Sequence, residues 1–189
     1  MNQPRIPPGT RRDIGIGAWL LIRVLGLVAR TEPPKLFSVL ARHRPLFRGW
    51  LSFARRLMPG GTLPRRETEL VILRVALLRG CSYELAHHRR LGERAGVTDA
   101  DLARLVDGSE AEGWPARDRA VLRAAESMIE RHDVDDRSWD ELREHLDERE
   151  CVELCLLVAH YDMLATVIST LRISPDLSSK EARRERRRR

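Results

Sequence analysis

The stretch that decides the fold is residues 63–88, LPRRETELVILRVALLRGCSYELAHH. Apolar residues recur at helical spacing in its first part, and Gly80 ends that run because glycine readily terminates a helix. A second helical pattern starts near Cys81. The stretch therefore predicts two consecutive helices, at about 65–79 and 82–95, joined by a very short turn.

The same periodicity runs through most of the remaining chain, interrupted by short segments that contain Gly or Pro. No stretch shows sustained strand alternation, so we predict an all-α protein with eight to nine helices. The other predicted helices are 16–30, 35–43, 46–58, 99–106, 116–131, 138–146 and 149–171. We predict an irregular N-terminal arm at 1–15, a helical domain at 16–175 and a disordered basic tail at 176–189.

The charge of the chain is concentrated at its C-terminal end. The 189 residues carry 34 Lys and Arg against 28 Asp and Glu, a net charge of +6. Residues 180–189 hold seven positive and two negative side chains, which leaves +1 for residues 1–179. We therefore expect a small-molecule pocket and no nucleic-acid partner beyond weak contacts of the tail.

The cysteine spacing and the hydropathy of the chain indicate the cellular compartment in which we expect the protein. Three cysteines at these spacings do not form a secreted disulfide framework, so we expect a reducing cytoplasm. The best N-terminal apolar run, 18–29, contains Arg23 and is too short for a bilayer core of about 30 Å, so we expect no membrane partner. Two segments, 70–78 and 151–171, are apolar on nearly all sides, which indicates a buried core or a homo-oligomer interface.

The segment that carries a cluster of reactive side chains starts at Cys81. At about 100° per residue, Cys81, Glu84 and His88 lie on one helix face, and His87 points about a third of a turn away. A helix N-terminus favours a thiolate, so we expect a lowered pKa for Cys81. Glu84 and His88 are an i,i+4 pair, close enough for the carboxylate to tune the imidazole.

Structural roles account for the same residues. Glu84 follows Cys81 by three positions and fits a capping box that closes the helix N-terminus. Cys81 fits an inert buried thiol, and the His87-His88 pair fits a solvated helix face. Composition and spacing alone leave these alternatives open.

Residues 63–76, the run from Cys81 to His88, and 95–99 together resemble the carboxymuconolactone decarboxylase family, which includes the alkylhydroperoxidase D-like proteins. The peroxidase branch of that family has a glutamate, a cysteine twelve residues later, and then the pattern Cys-x-x-Cys-x-x-x-His. Here Glu69 precedes Cys81 by twelve residues, and His88 follows Cys81 by seven. The resemblance extends over about 35–175 and implies an alkylhydroperoxidase D-like helical bundle with its active site in a helical hairpin.

One departure from the family pattern bears on mechanism. Glu84 occupies the position of the second cysteine, so the cycle in which two sulfurs form and resolve a disulfide does not carry over. Cys151 and Cys155 lie in a predicted core helix and fit buried packing thiols.

Glu69, Glu84 and His88 fit proton transfer better than redox chemistry. We expect His88 to supply a proton to a carbanion and Glu69 to orient His88. Tyr83 is a candidate donor to a developing enolate, and Arg74 a candidate partner for a substrate carboxylate. His160 is a core histidine or a lining residue of the same pocket. The resemblance implies no metal and no organic cofactor.

Our favoured hypothesis is a cofactor-free decarboxylase or related lyase that acts on a small carboxylated molecule. The first alternative is an alkylhydroperoxidase-like thiol peroxidase, an antioxidant activity, that uses Cys81 and an external thiol reductant. The second is a non-catalytic binding or assembly protein. The resemblance also implies a homo-oligomer, which is a dimer, trimer or hexamer in this family.

Overall fold

The computed structural model describes residues 3–178 and shows ten helices and no strands within them. The all-α prediction is confirmed. The helices are α1 (Arg11–Ile14), α2 (Ile16–Ala29), α3 (Lys35–Leu40), α4 (Arg44–Leu57), α5 (Arg65–Leu78), α6 (Ser82–Ala95), α7 (Asp99–Asp107), α8 (Ala116–Arg131), α9 (Asp136–Arg143) and α10 (Glu148–Leu171).

Two terminal segments that we predicted to be irregular or disordered contain ordered residues. The predicted arm contains the short helix α1, because Thr10 and Asp13 form a capping box in which the Thr10 backbone N–H donates to the Asp13 carboxylate at 2.7 Å. In the predicted tail, Asp176 is buried and accepts a hydrogen bond of 3.0 Å from the Lys35 backbone N–H. The rest of the predicted tail, 179–189, lies outside the described residues.

The chain divides into two compact units. The first comprises the described parts of Met1–Ala54 and Ile168–Arg189. Its core is aromatic at the centre, where the rings of Phe37 and Trp50 meet edge to face at 5.2 Å. The residues buried around them are Ile14, Ile22, Ala41 and Phe47.

The second unit, Arg55–Val167, holds α5 to α9 and most of α10. α5 is buried on nearly every side, which explains why its sequence is apolar all round. Its main apolar cluster joins α5, α7 and α8 through Leu70, Leu73, Val97, Leu105, Trp114 and Leu122. The Trp114 ring N–H donates to the Gly108 carbonyl at 3.0 Å, so the indole is buried with its polar atom paired.

α10 is the second helix that the sequence marks as apolar on nearly all sides. By length and composition alone this 24-residue helix is apolar enough to cross a membrane. Half of its apolar window is buried inside the protein, as in a core helix, so this signal is weak evidence for a span. Val152, Leu156 and Met163 remain exposed on it, and the homo-oligomer stays a prediction.

Leu105 and Val106 give a direct test of the core of the second unit. Leu105 has no exposure to solvent, whereas its neighbour Val106 is 67% exposed. We expect Leu105→Ala to lower the free energy of unfolding by about 2–5 kcal/mol, because it removes buried methyl groups and leaves a cavity. Val106→Ala is expected to change it by about 0.5 kcal/mol or less. Urea unfolding of both variants measures the difference, and equal losses would contradict the packing described.

Candidate active site

The candidate site is built on the hairpin of α5 and α6. Gly80 has a φ of 60°, a conformation in which a side chain is strained, and this lets the chain reverse within three residues. The Cys81 backbone N–H then donates to the Ala76 carbonyl at 2.8 Å, which closes the end of α5. Cys81 is the N-cap of α6. The tight reversal places α6 against the face of α5 that carries Glu69.

Three ionisable side chains meet inside this hairpin. The imidazole of His88 donates from Nδ1 to Glu69 Oε2 at 2.8 Å, and its Nε2 lies 3.2 Å from Glu84 Oε2. The exposed fractions of these residues are 2% for His88, 0% for Glu69 and 3% for Glu84. We call Glu69, Glu84 and His88 the buried triad. Both ring nitrogens of His88 are therefore already engaged by carboxylates.

The two carboxylates hold His88 in its charged form. Burial lowers the pKa of His88, but hydrogen bonds to Glu69 and Glu84 and their negative charges outweigh it and raise this pKa to about 9. A guanidinium nitrogen of Arg65 lies 2.6 Å from Glu69 Oε1. With Arg65 and His88 positive and both carboxylates negative, the cluster is neutral, which is the condition under which buried charges are tolerated.

Two carboxylate oxygens of the buried triad, Glu69 Oε1 and Glu84 Oε1, lack a hydrogen-bond partner among the described residues, and of these Glu69 Oε1 has the ion contact with Arg65. Glu84 Oε1 is buried and has no hydrogen-bond partner within residues 3–178. An unpaired carboxylate oxygen in a buried position is costly, so it marks a place where a water molecule or a ligand donor would be stabilised. The oxygen next to it on the same carboxylate is the one that contacts the protonated His88.

Two residues of α10 complete the surroundings. The Tyr161 ring stands edge to face against His88 with centroids 5.1 Å apart, and its hydroxyl points to the Met58 sulfur at 3.9 Å. Burial, followed by the charges of Glu84 and Glu69, raises the Tyr161 pKa, so this phenol stays protonated. Burial lowers the pKa of His160 to about 4, against the charge of Glu84, which favours its protonation. His160 is therefore a buried, neutral neighbour of the triad.

Cys81 differs from its expected state. The thiol is 2% exposed, and burial raises its pKa, an effect that the nearby Glu84 charge reinforces. Backbone N–H groups of Tyr83 and Glu84 act in the opposite direction but do not overcome burial. The prediction of a lowered pKa was wrong, because the cost of desolvating a thiolate exceeds the gain from the helix N-terminus. Cys81, Cys151 and Cys155 are all free thiols.

Arg74 is not at the site. Its guanidinium contacts Glu126 of α8 at 2.6 Å and donates to the Leu105 carbonyl in the last turn of α7 at 2.9 Å, so it is committed to these two helices. Arg89 is a surface charge, with 62% of its side chain exposed. Tyr83 is buried in the first turn of α6, and its role toward an enolate stays a prediction.

Sequence reasoning missed two neighbours of the triad, Arg65 and Tyr161. Arg65 precedes Glu69 by four residues, so the i,i+4 rule was an available signal. His87, the neighbour of His88 in sequence, has a buried Nδ1 that finds no hydrogen-bond partner among residues 3–178. Burial first, and then the charges of His88, Arg90 and Arg65, lower the pKa of His87 to about 3, so it is neutral. Within the described residues no group of three or more His, Cys, Asp or Glu side chains is arranged to hold a metal ion.

The second unit also has two surface cavities, of about 590 and 410 Å³. The larger is an apolar cleft between α5, α6 and α7, and Arg89 and Asp99 stand among its lining residues. The smaller adjoins α8, α9 and Cys155. The buried triad lines neither of these two cavities.

Comparison with known proteins finds a family whose model matches part of the chain. Residues 44–127, which contain the whole hairpin, match the model of the carboxymuconolactone decarboxylase family. The uncharacterized protein YdfG of Bacillus subtilis (strain 168) is 26% identical over 99 residues, which are 51% of this chain and 67% of YdfG.

Solved structures agree with this assignment at the level of the fold. An alkylhydroperoxidase AhpD core protein from Ralstonia eutropha JMP134, an uncharacterized peroxidase-related protein, superimposes with a TM-score of 0.80 at 20% identity, over 93% of each chain. A cysteine-to-alanine variant of the debrominase Bmp8 in complex with 2,3,4-tribromopyrrole gives a TM-score of 0.78 at 14% identity, over 98% of each chain. Residues 44–127 thus match the carboxymuconolactone decarboxylase family, and the fold of the chain is similar to that of an alkylhydroperoxidase AhpD core protein.

Proposed function

We propose that this protein catalyses cofactor-free proton transfer of the decarboxylase or lyase type on a small carboxylated molecule, with Glu84 and His88 acting as one proton carrier. The observation that carries the proposal is the open Glu84 Oε1, on a carboxylate whose other oxygen lies 3.2 Å from the protonated His88. His88 itself has no nitrogen to offer a substrate while both carboxylates hold it. The group that meets the substrate is therefore Glu84.

The reaction fits the charge balance of this cluster. When a substrate carboxylate leaves as carbon dioxide, the electron pair of the broken C–C bond passes to the adjoining carbonyl, and the resulting enolate takes up one proton at carbon. His88 passes its Nε2 proton to Glu84 Oε2, rotation of the carboxyl group turns the protonated oxygen to the open side, and Glu84 delivers the proton to that carbon. Glu69 keeps the imidazole in place throughout. Solvent then restores the proton that the reaction consumed.

Arg65 replaces Arg74 as the partner for a substrate carboxylate. Its guanidinium touches Glu69, which places it beside the buried triad, and its side chain is 38% exposed. A guanidinium binds carboxylates well because its N–H groups form a planar fork. A carboxylated substrate held there has its reacting end directed toward the triad.

The thiol peroxidase hypothesis has less support from the geometry. A peroxidatic cysteine reacts as a thiolate, whereas burial raises the pKa of Cys81 and Glu84 adds a negative charge close to it. Proteins of similar structure include an uncharacterized peroxidase-related protein and a debrominase, so we take the fold to accommodate more than one chemistry. Residue Glu84 is what separates this chain from a two-cysteine mechanism.

Matched carboxylate substitutions on α6 test the proposal. We expect Glu84→Gln to reduce turnover of small lactone carboxylates or β-keto acids by about a hundredfold or more, because an amide cannot carry the proton. Glu93→Gln, on an exposed side chain of the same helix, is the control and should leave turnover unchanged. Circular dichroism verifies that both variants are folded.

Cys81→Ser separates the alternatives. The proton-transfer proposal predicts near-normal decarboxylation in this variant. Loss of hydroperoxide turnover in Cys81→Ser, with Glu84→Gln unaffected, would establish the peroxidase instead. A parent protein that is inert toward both substrate classes would refute catalysis and favour the binding or assembly hypothesis.

The stability of the protein should fall at alkaline pH because of His88. Its pKa is raised in the folded state, so its contribution is fully present below about pH 6.5 and is lost as the pH rises through about 9. The expected loss is about 3 kcal/mol. His87 and His160 have lowered pKa values and act in the opposite sense, destabilising the fold as the pH falls below about 6.5.

Nuclear magnetic resonance of the His88 ring nitrogens follows this titration directly. Both nitrogens should stay protonated at pH 7 and lose one proton near pH 9. Denaturant unfolding across the same range measures the free energy. A neutral His88 at pH 7 would contradict the charged triad and, with it, the proposed proton carrier.

A further inference from the structure

The outer face of α2 is apolar and exposed. Its exposed side chains are Ile16, Leu20, Leu21, Val24, Leu27 and Val28, and the largest exposures are 77% for Leu27 and 68% for Val28. At about 100° per residue these positions fall within an arc of roughly 140° on one side of the helix. We call this surface the α2 apolar face. Such a contiguous patch on a single chain marks a site of interaction.

The inner face of α2 already has its packing partners. Ile22 is buried in the core of the first unit, and Ala18 and Trp19 pack against the same cluster as Phe37 and Trp50. The outer apolar residues therefore add nothing to that core. Their retention in a solvent-facing position calls for an occupant from outside the chain.

The charges around this face are almost all positive. Residues 1–54 carry nine Lys and Arg against two Asp and Glu, whereas residues 55–179 carry an excess of acidic side chains. The two acidic residues are already paired, because Glu32 contacts Lys35 at 2.7 Å and Asp13 lies 3.5 Å from Arg42. The first unit therefore presents an uncompensated positive charge.

Specific arginines border the α2 apolar face. Arg23 stands at its edge, and its guanidinium lies 4.8 Å from the centre of the Trp19 ring. Arg12 and Arg30 are exposed at the two ends of the helix. A helix with an apolar face, a border of arginines and a tryptophan is typical of segments that lie in the interface of a membrane.

We propose that the α2 apolar face binds the surface of a bilayer that contains anionic lipids. Its aliphatic side chains enter the boundary between headgroups and acyl chains, and the bordering arginines contact lipid phosphates. The 14 residues of α2 reach about 21 Å, less than a hydrocarbon core of about 30 Å, so the helix lies on the membrane and does not span it. The expectation of no membrane partner rested on this length, which bears on a span and not on surface binding.

Charge disfavours a second copy of the chain as the occupant. Two copies joined through α2 would bring their arginine borders together, and the two acidic residues within 3–54, Asp13 and Glu32, are already paired with other side chains. An anionic lipid surface supplies the missing negative charge over the whole face. The same charge pattern makes binding sensitive to salt.

Vesicle co-sedimentation of the full chain tests the proposal. We expect binding to vesicles of phosphatidylcholine mixed with phosphatidylglycerol, weaker binding at high salt, and little binding to phosphatidylcholine alone. The double variant Val24→Glu/Leu27→Glu should bind at least about tenfold more weakly. Arg23→Gln should weaken binding to the anionic vesicles about fivefold.

Val152→Glu is the matched control. Val152 is an aliphatic residue of α10 that is 60% exposed, an exposure similar to the 53% of Val24. It should bind vesicles as the parent does. Thermal unfolding verifies that every variant is folded. Absence of binding by the parent would overturn the proposal, and so would undiminished binding by the double variant, which would assign the affinity to residues 180–189. A dimer in light scattering that the double variant dissociates would identify a second copy as the occupant instead.

Discussion

The fold of the second unit depends on one buried cluster of charge. His88 lies between two carboxylates with almost no contact with water, and Arg65 balances the charge that remains. Removing any one partner would leave an uncompensated charge in the interior, which costs far more than an exposed ion pair is worth. The hairpin of α5 and α6 must therefore hold its register closely, and Gly80 permits the tight reversal that sets this register.

This constraint also shapes the chemistry. The fold is shared with an uncharacterized peroxidase-related protein and a debrominase, but in this chain Glu84 stands where the family pattern has its second cysteine. That carboxylate touches His88 through one oxygen and leaves the other open, while burial keeps the neighbouring Cys81 as a thiol. In the function we propose, this pair stores a proton, whereas a pair of cysteines would store electrons in a disulfide. Our assignment of proton transfer rests on that difference.

Charge is distributed unevenly along the chain. A net charge close to zero for residues 1–179 conceals a basic N-terminal segment and an acidic remainder, and the basic segment also carries the exposed aliphatic face of α2. The acidic excess of the second unit includes carboxylates used in internal ion pairs, such as Asp101 and Asp118 with Arg66. In residues 1–54 only Lys35 and Arg42 pair with the two acidic side chains of that segment, Glu32 and Asp13, among the residues described, so basic side chains remain in excess there. A sum over the whole chain therefore says little about what each surface attracts.

The sequence by itself determined the helical class, the limits of α5 and α6 to within about one residue, and the pairing of Glu84 with His88, because periodicity, Gly80 and the i,i+4 spacing are local properties. Glu69 came from the family resemblance. The prediction that Arg74 is the partner of a substrate carboxylate was wrong, because Arg74 lies five positions after Glu69, about 140° round the helix. Arg65 lies four positions before Glu69, on the same face. Only the tertiary structure decided that Cys81 stays a thiol, that both nitrogens of His88 are engaged and that Glu84 Oε1 is open. Each of these depends on burial by residues distant in the chain, and desolvation by such neighbours is not encoded in local spacing.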